Sequence, residues 1–134
     1  MRLPRLDPRE LAAIYAGGVL GALARVGLEE AAPHGVGGWP WATFAVNMVG
    51  ALLLGYFVTR LGERLPPSSY RRPFLGTGLC GALTTFSTLQ LELFEMLDTG
   101  HLALAAGYAA ASLAGGFACV QLATAATRRT RTVR

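Results

Sequence analysis

The 134-residue chain contains no lysine, two cysteines and two histidines. Charged residues make up only 15% of it, whereas 52% are hydrophobic; an ordinary soluble domain carries about a quarter charged residues. That shortage of charge points to lipid as the surrounding solvent. Cys80 and Cys119 lie inside apolar runs with no CxxC or Cys/His spacing, so the sequence supports neither a disulfide framework nor a zinc knuckle, and both read as small packing residues. His34 and His101 fall in loops, and no nucleophile stands with a base and an orienter, so catalysis is unsupported. Twelve arginines against eight acids give a net charge of +4. A nucleic-acid footprint needs basic residues interleaved with polar and aromatic ones on one solvated face. Here the arginines border apolar runs instead, and no nucleic-acid partner is expected.

Four apolar spans fill the chain, at about 11–28, 41–59, 74–97 and 102–126. Each is long enough to cross a hydrocarbon core of about 30 Å at 1.5 Å per residue. None alternates with the period of a barrel strand, and in lipid only helices or closed barrels satisfy the backbone. The expectation is an all-α membrane protein, a single domain of four transmembrane helices over residues 1–134. Gly- and Pro-rich stretches separate the spans: Glu29 to Pro40, the Arg60 to Pro73 segment with Pro66-Pro67, and the tight turn Asp98-Thr99-Gly100-His101. The first span also has signal-peptide traits, with Arg2, Arg5 and Arg9 ahead of Ala22-Leu23-Ala24. Three further spans follow it, however, and cleavage there would leave Arg25 at the new terminus. Eleven of the twelve arginines fall in the first tail, the second loop and the last tail, and none in the first or third loop. Arginine excess marks the cytoplasmic side, which places both termini there, in a plasma membrane.

Polar residues inside the spans come in lines. Thr43 and Asn47 are four apart in the second span, as are Tyr108 and Ser112 in the fourth, so each pair shares a helix face. Gly17 and Gly21, and likewise Gly107, Ala111, Gly115 and Cys119, form small-residue faces that admit a close helix backbone. The third span holds Gly76, Gly78 and Gly81, followed by Thr84-Thr85-Phe86-Ser87-Thr88. Glycine costs about 1 kcal/mol in a helix interior and hydroxyls compete for backbone groups, so this span is expected to break near mid-membrane. Irregular backbone at that depth is tolerated where protein buries it or it lines a cavity, and its freed carbonyls hold cations. The same glycines match GxGxxG literally with Asp98 twenty residues on, but a dinucleotide site needs a preceding strand, and a membrane span surrounds the motif instead. Arg25, one turn from the end of the first span, is expected either to snorkel or to pair with a neighbouring helix or an anion, and Glu92 is expected in a wet vestibule.

The run Gly81-Ala82-Leu83-Thr84-Thr85-Phe86-Ser87-Thr88 resembles the CrcB/Fluc family of fluoride channels. So do Gly21-Ala22-Leu23-Ala24-Arg25 and Thr43-Phe44-Ala45-Val46-Asn47-Met48-Val49-Gly50. The resemblance implies an antiparallel dimer with two fluoride pores and one structural sodium ion at its centre, held by the backbone carbonyls of Gly81 and Thr84. It implies pore-lining roles for Asn47, Phe86, Ser87, Thr88, Tyr108 and Ser112 and a vestibule role for Glu92, with Arg25, Thr43 and Thr85 as secondary positions. Amide and hydroxyl donors suit a small, strongly hydrated anion, and a phenyl rim carries partial positive charge. Two departures stand out. The family's second Phe, three residues after the first, is Leu89 here, and the arginine bias is far from the balance that two-way insertion needs. Together they lead to the expectation that the chain inserts one way and pairs with an oppositely oriented relative, a self-paired antiparallel dimer being the alternative. The function expected is passive fluoride exit from the cytoplasm. The alternatives are a non-conducting partner subunit and a proton-coupled cation exporter, which would place a carboxylate within residues 11–28, where there is none.

Overall fold

The structure is a computed structural model and describes residues 7–35, 37–64 and 70–130. Arg2, Arg5, Pro66, Pro67, Arg131 and Arg134 lie outside the described residues, as does the Arg64 side chain. The described chain is helical throughout: α1 (Pro8–Ala31), α2 (Trp41–Arg64), a π-wound segment (Pro73–Cys80) running into the short α3 (Gly81–Leu83), α4 (Phe86–Asp98) and α5 (Leu102–Arg129). Helices α1 and α5, and α2 from Trp41 to Glu63, are each long and apolar enough to cross a membrane. The third apolar run is divided among shorter elements, because Thr84 and Thr85 are extended, with φ/ψ of −76°/147° and −139°/119°.

The ends follow local chemistry. Asp7 caps α1, its Oδ1 accepting from the Arg9 amide at 2.9 Å, and Pro8 occupies the first turn, where its missing N–H costs nothing. Three helices outrun the apolar windows: α1 reaches Ala31, α2 reaches Arg64 and α5 reaches Arg129, since Arg and Glu are good helix formers once out of the hydrocarbon. At the end of α4 the chain reverses within three residues. Gly100 takes a φ of 80°, and the His101 amide reaches back to the Met96 carbonyl at 2.7 Å.

Helix α1 packs chiefly on the Pro73–Cys80 segment, and α2 packs chiefly on α5. Small residues set both contacts. A Cβ on Gly17 would run into the Phe74 carbonyl oxygen, and one on Gly21 into that of Leu79, so the Gly17/Gly21 face serves backbone approach inside this chain. On α5 the small-residue face divides. Gly115 and Cys119 receive Met48 of α2, whereas nothing lies within 4 Å of where a Gly107 side chain would stand. Leu89, Met96, Ala105 and Tyr108 form one buried cluster, with Trp39, Phe44, Leu93 and Leu104 against it, and Ala42, Val46, Cys80 and Leu83 are buried as well.

Candidate functional site

Three helices bring polar side chains into one strip through this apolar interior. Helix α2 contributes Thr43 and Asn47, α4 with its cap contributes Thr85, Thr88 and Glu92, and α5 contributes Tyr108. At the upper end Asn47 holds Thr85: its Oδ1 accepts from the Thr85 amide at 2.8 Å and its Nδ2 donates to the Thr85 carbonyl at 3.1 Å. An extended residue between two helices has lost its intrahelical partners, and one side-chain amide replaces both of them. The Thr85 hydroxyl in turn caps α4. It accepts from the Thr88 amide at 3.1 Å, donates to the Thr88 hydroxyl at 2.9 Å and lies 3.3 Å from that of Ser87.

This pattern leaves two carbonyls without their helical donors. Continuous α-winding would send the Thr85 amide to the Gly81 oxygen and the Thr88 amide to the Thr84 oxygen. Both amides are bonded elsewhere, to Asn47 and to the Thr85 hydroxyl. Thr84 instead turns its hydroxyl back to the Cys80 carbonyl at 3.0 Å. Gly81 and Thr84 stand on the wall of an open groove of about 340 Å³, shared with Gly50, Leu54, Cys80 and Phe117. No cluster of three or more His, Cys, Asp or Glu suited to a metal occurs among the described residues. Neutral oxygens such as these suit a hard monovalent cation rather than zinc.

One turn below Thr88 is Glu92, 5% exposed. Thr43, 1% exposed, donates its hydroxyl to Glu92 Oε1 at 2.5 Å, and Tyr108, fully buried, donates to Oε2 at 2.7 Å. Two hydroxyls thus close on the carboxylate, because α2 and α5 both present donors at its level. Its remaining side borders a cleft of about 130 Å³ with His34, Gly38, Glu95 and Met96. The Trp39 ring packs edge-on against Tyr108, with centroids 5.3 Å apart at 78°, and so fixes the phenol. Trp39 was not singled out in the sequence, although a Trp-Pro-Trp at the start of a span is the usual mark of an interfacial anchor.

Not every residue of the candidate set joins this strip. Phe86 is 67% exposed, and Ser87 is exposed too although its hydroxyl lies 3.3 Å from that of Thr85. Ser112 keeps a buried hydroxyl with no partner among the described residues. Leu89, at the place of the family's second Phe, is buried against Met96, Ala105 and Tyr108. Of the alternatives for Arg25, the structure shows pairing with a neighbouring element. Its Nε donates to the Ala82 carbonyl at 3.3 Å and its Nη1 pairs with Glu29 at 3.3 Å, so it ties α1 to the last turn before the extended pair. A cation at a helix carbonyl end is the favourable placement.

Residues 12–124 match the model of the family described as CrcB-like protein, Camphor Resistance (CrcB). The chain is 59% identical over 129 residues to a protein of Mycobacterium bovis named fluoride-specific ion channel FluC 1, covering 96% of this chain and 98% of that one. It is 60% identical over 125 residues to the FluC 1 of Mycolicibacterium paratuberculosis, at 93% and 95% coverage. A FluC 2 of Nocardia farcinica is 42% identical over 127 residues, at 95% and 91% coverage. These relatives are named channels, not enzymes.

Proposed function

Since this chain belongs to the CrcB family, we propose that it is a fluoride-selective passive channel subunit of the cell membrane that lets fluoride leave the cytoplasm. The observation that carries this reading is the pair of hydroxyls closed on Glu92, with Thr43 on one carboxylate oxygen and Tyr108 on the other. An arriving fluoride competes with the carboxylate as acceptor for the same two donors, which replace part of its hydration shell without a fixed positive charge to trap it. The Thr88 and Thr85 hydroxyls and the amide of Asn47 continue the donor strip toward Phe86 and Ser87. The exposed ring of Phe86 presents its electropositive rim to an ion at the contact with a second chain.

The test is fluoride efflux from liposomes. Thr43→Val and Tyr108→Phe each remove one donor and are expected to lower fluoride efflux about tenfold, the equivalent of one hydrogen bond of about 1.4 kcal/mol. Unchanged efflux in both variants sinks the assignment.

The third span breaks at Thr84–Thr85 near mid-membrane in this reading, and two chains meet there in opposite orientations. The Gly81 and Thr84 carbonyls, freed of their helical donors, are the oxygens that hold a structural sodium ion at the dimer centre. A sodium ion held there would supply the positive charge on which such carbonyl dipoles can converge. The arginine bias supports an orientation with both termini in the cytoplasm; the antiparallel partner is then an oppositely oriented relative that carries the aromatic ring this chain lacks at Leu89. Purified alone, this chain is expected to give weak fluoride efflux, and co-expression with such a relative to restore it. Robust selective efflux from the single chain refutes the two-chain assembly, and silence in both preparations makes the chain a non-conducting subunit.

A further inference from the structure

Outside the polar strip, the described surface has an almost wholly apolar groove of about 430 Å³ between α1 and the start of the π-wound segment. Ala13, Tyr70, Arg71, Phe74 and Leu75 line it. Arg71 is exposed, and among the described residues no carboxylate pairs with it. The acid bonded to the neighbouring Tyr70 has other partners. Asp7 accepts from the Arg9 amide through Oδ1 and from the Tyr70 hydroxyl through Oδ2, at 2.9 and 3.1 Å. Glu10 lines a different groove, beside Arg72. A guanidinium without an ion-pair partner among the described residues therefore lines an apolar groove.

The placement along the helix gives the groove its chemistry. Helix α1 has 24 residues, about 36 Å at 1.5 Å per residue, against a hydrocarbon core of about 30 Å. Its first turn therefore lies at headgroup level. Ala13 sits more than a turn inside that end, and Phe74 and Leu75 follow Arg71 inward. Cation outside, hydrocarbon wall inside, on the side that carries eleven of the chain's twelve arginines: this is the arrangement of an anionic phospholipid, phosphate at the guanidinium and acyl chain along the groove. We propose that Arg71 and the Ala13–Phe74–Leu75 groove form a binding site for an anionic phospholipid of the inner leaflet. The inference rests on the membrane-spanning reading and its orientation, but not on what ion the pore conducts.

The test uses the full chain reconstituted in vesicles of equal phosphatidylglycerol and phosphatidylcholine, extracted, and read by native mass spectrometry. Phosphatidylglycerol adducts are expected to exceed phosphatidylcholine adducts. Arg71→Gln is expected to lower them about fivefold, the usual worth of one basic residue at an anionic surface. Ala13→Phe fills the groove while keeping every charge and is expected to lower them comparably; circular dichroism and elution volume verify that both variants fold. Equal retention of the two lipids by the unaltered protein overturns the site. So does a loss in Arg71→Gln that Ala13→Phe does not share, which reduces the effect to diffuse attraction by arginine. Fluoride efflux from the same vesicles separates the two proposals: retention lost with efflux intact removes the lipid site alone, and efflux absent with retention intact removes the channel alone.

Discussion

Asn47→Asp is expected to abolish fluoride efflux, with a loss of about a hundredfold or more. The substitution replaces the amide NH2 of the side chain by an oxygen, and so removes one of two hydrogen bonds. Asn47 Nδ2 now donates to the Thr85 carbonyl at 3.1 Å; an aspartate oxygen there would face another acceptor. An unpaired buried polar group costs about 1–3 kcal/mol and more when charged, and each 1.36 kcal/mol is a factor of ten. The extended Thr85 then keeps only the bond from its amide and loses the one to its carbonyl, which loosens the residue whose hydroxyl caps α4 and orients Thr88. A negative charge also enters a path meant for an anion. Asn47→Leu separates these effects by removing the clamp without adding charge, and is expected to leave measurable efflux where Asn47→Asp leaves none. Efflux from Asn47→Asp within a factor of two of the unaltered protein would show that neither clamp nor charge matters.

Gly21→Leu is expected to prevent the chain from reaching its fold, with no monodisperse protein recovered after extraction. The Leu79 carbonyl occupies the space a Gly21 side chain would need, and both neighbours are backbone, so no rotamer change relieves the clash. Overpacking in a close-packed interior typically costs about 1–3 kcal/mol, and more where backbone must move, out of a net stability of about 5–15 kcal/mol. Separating α1 from the π-wound segment also removes the Arg25 bridge to Ala82. Gly18→Leu is the control: nothing lies within 4 Å of a Cβ at Gly18, and that variant is expected to extract and elute like the unaltered protein. Equal recovery of the two variants would show that the Gly17/Gly21 face does not set the packing.

The candidate site was partly legible because its residues repeat at helical spacing. Thr43 and Asn47, or Tyr108 and Ser112, announce one polar face each on otherwise apolar helices, since a hydroxyl or amide in lipid needs a reason to be there. Which faces meet was not legible. Nothing in the sequence joins Thr43 to Glu92, forty-nine positions away, or tells that Asn47 spends both amide atoms on Thr85. Those pairings depend on how α2, α4 and α5 rotate about their axes, and packing sets that rotation. Glu92 shows the difference: a carboxylate one residue past an uncharged run reads as solvent-facing, and only the convergence of two donors makes its burial affordable. Arg25 is similar, since its partner Glu29 is on its own helix face but the Ala82 carbonyl is not.

Sequence by itself determined the solvent, the number of apolar spans and the arginine asymmetry. These follow from composition and from the length of apolar runs, which the thickness of a bilayer converts directly into helices. Its motifs also led to the family that the full-length relatives show. Tertiary structure alone decided which backbone the glycines of α1 admit, that the irregular residues of the third apolar run are Thr84 and Thr85, and that the amides released there bond to Asn47 and to a threonine hydroxyl. The reason is physical. Burial in lipid is paid residue by residue and so is written along the chain, whereas satisfying a freed N–H or C=O requires a partner at about 3 Å, and only folding brings distant residues that close.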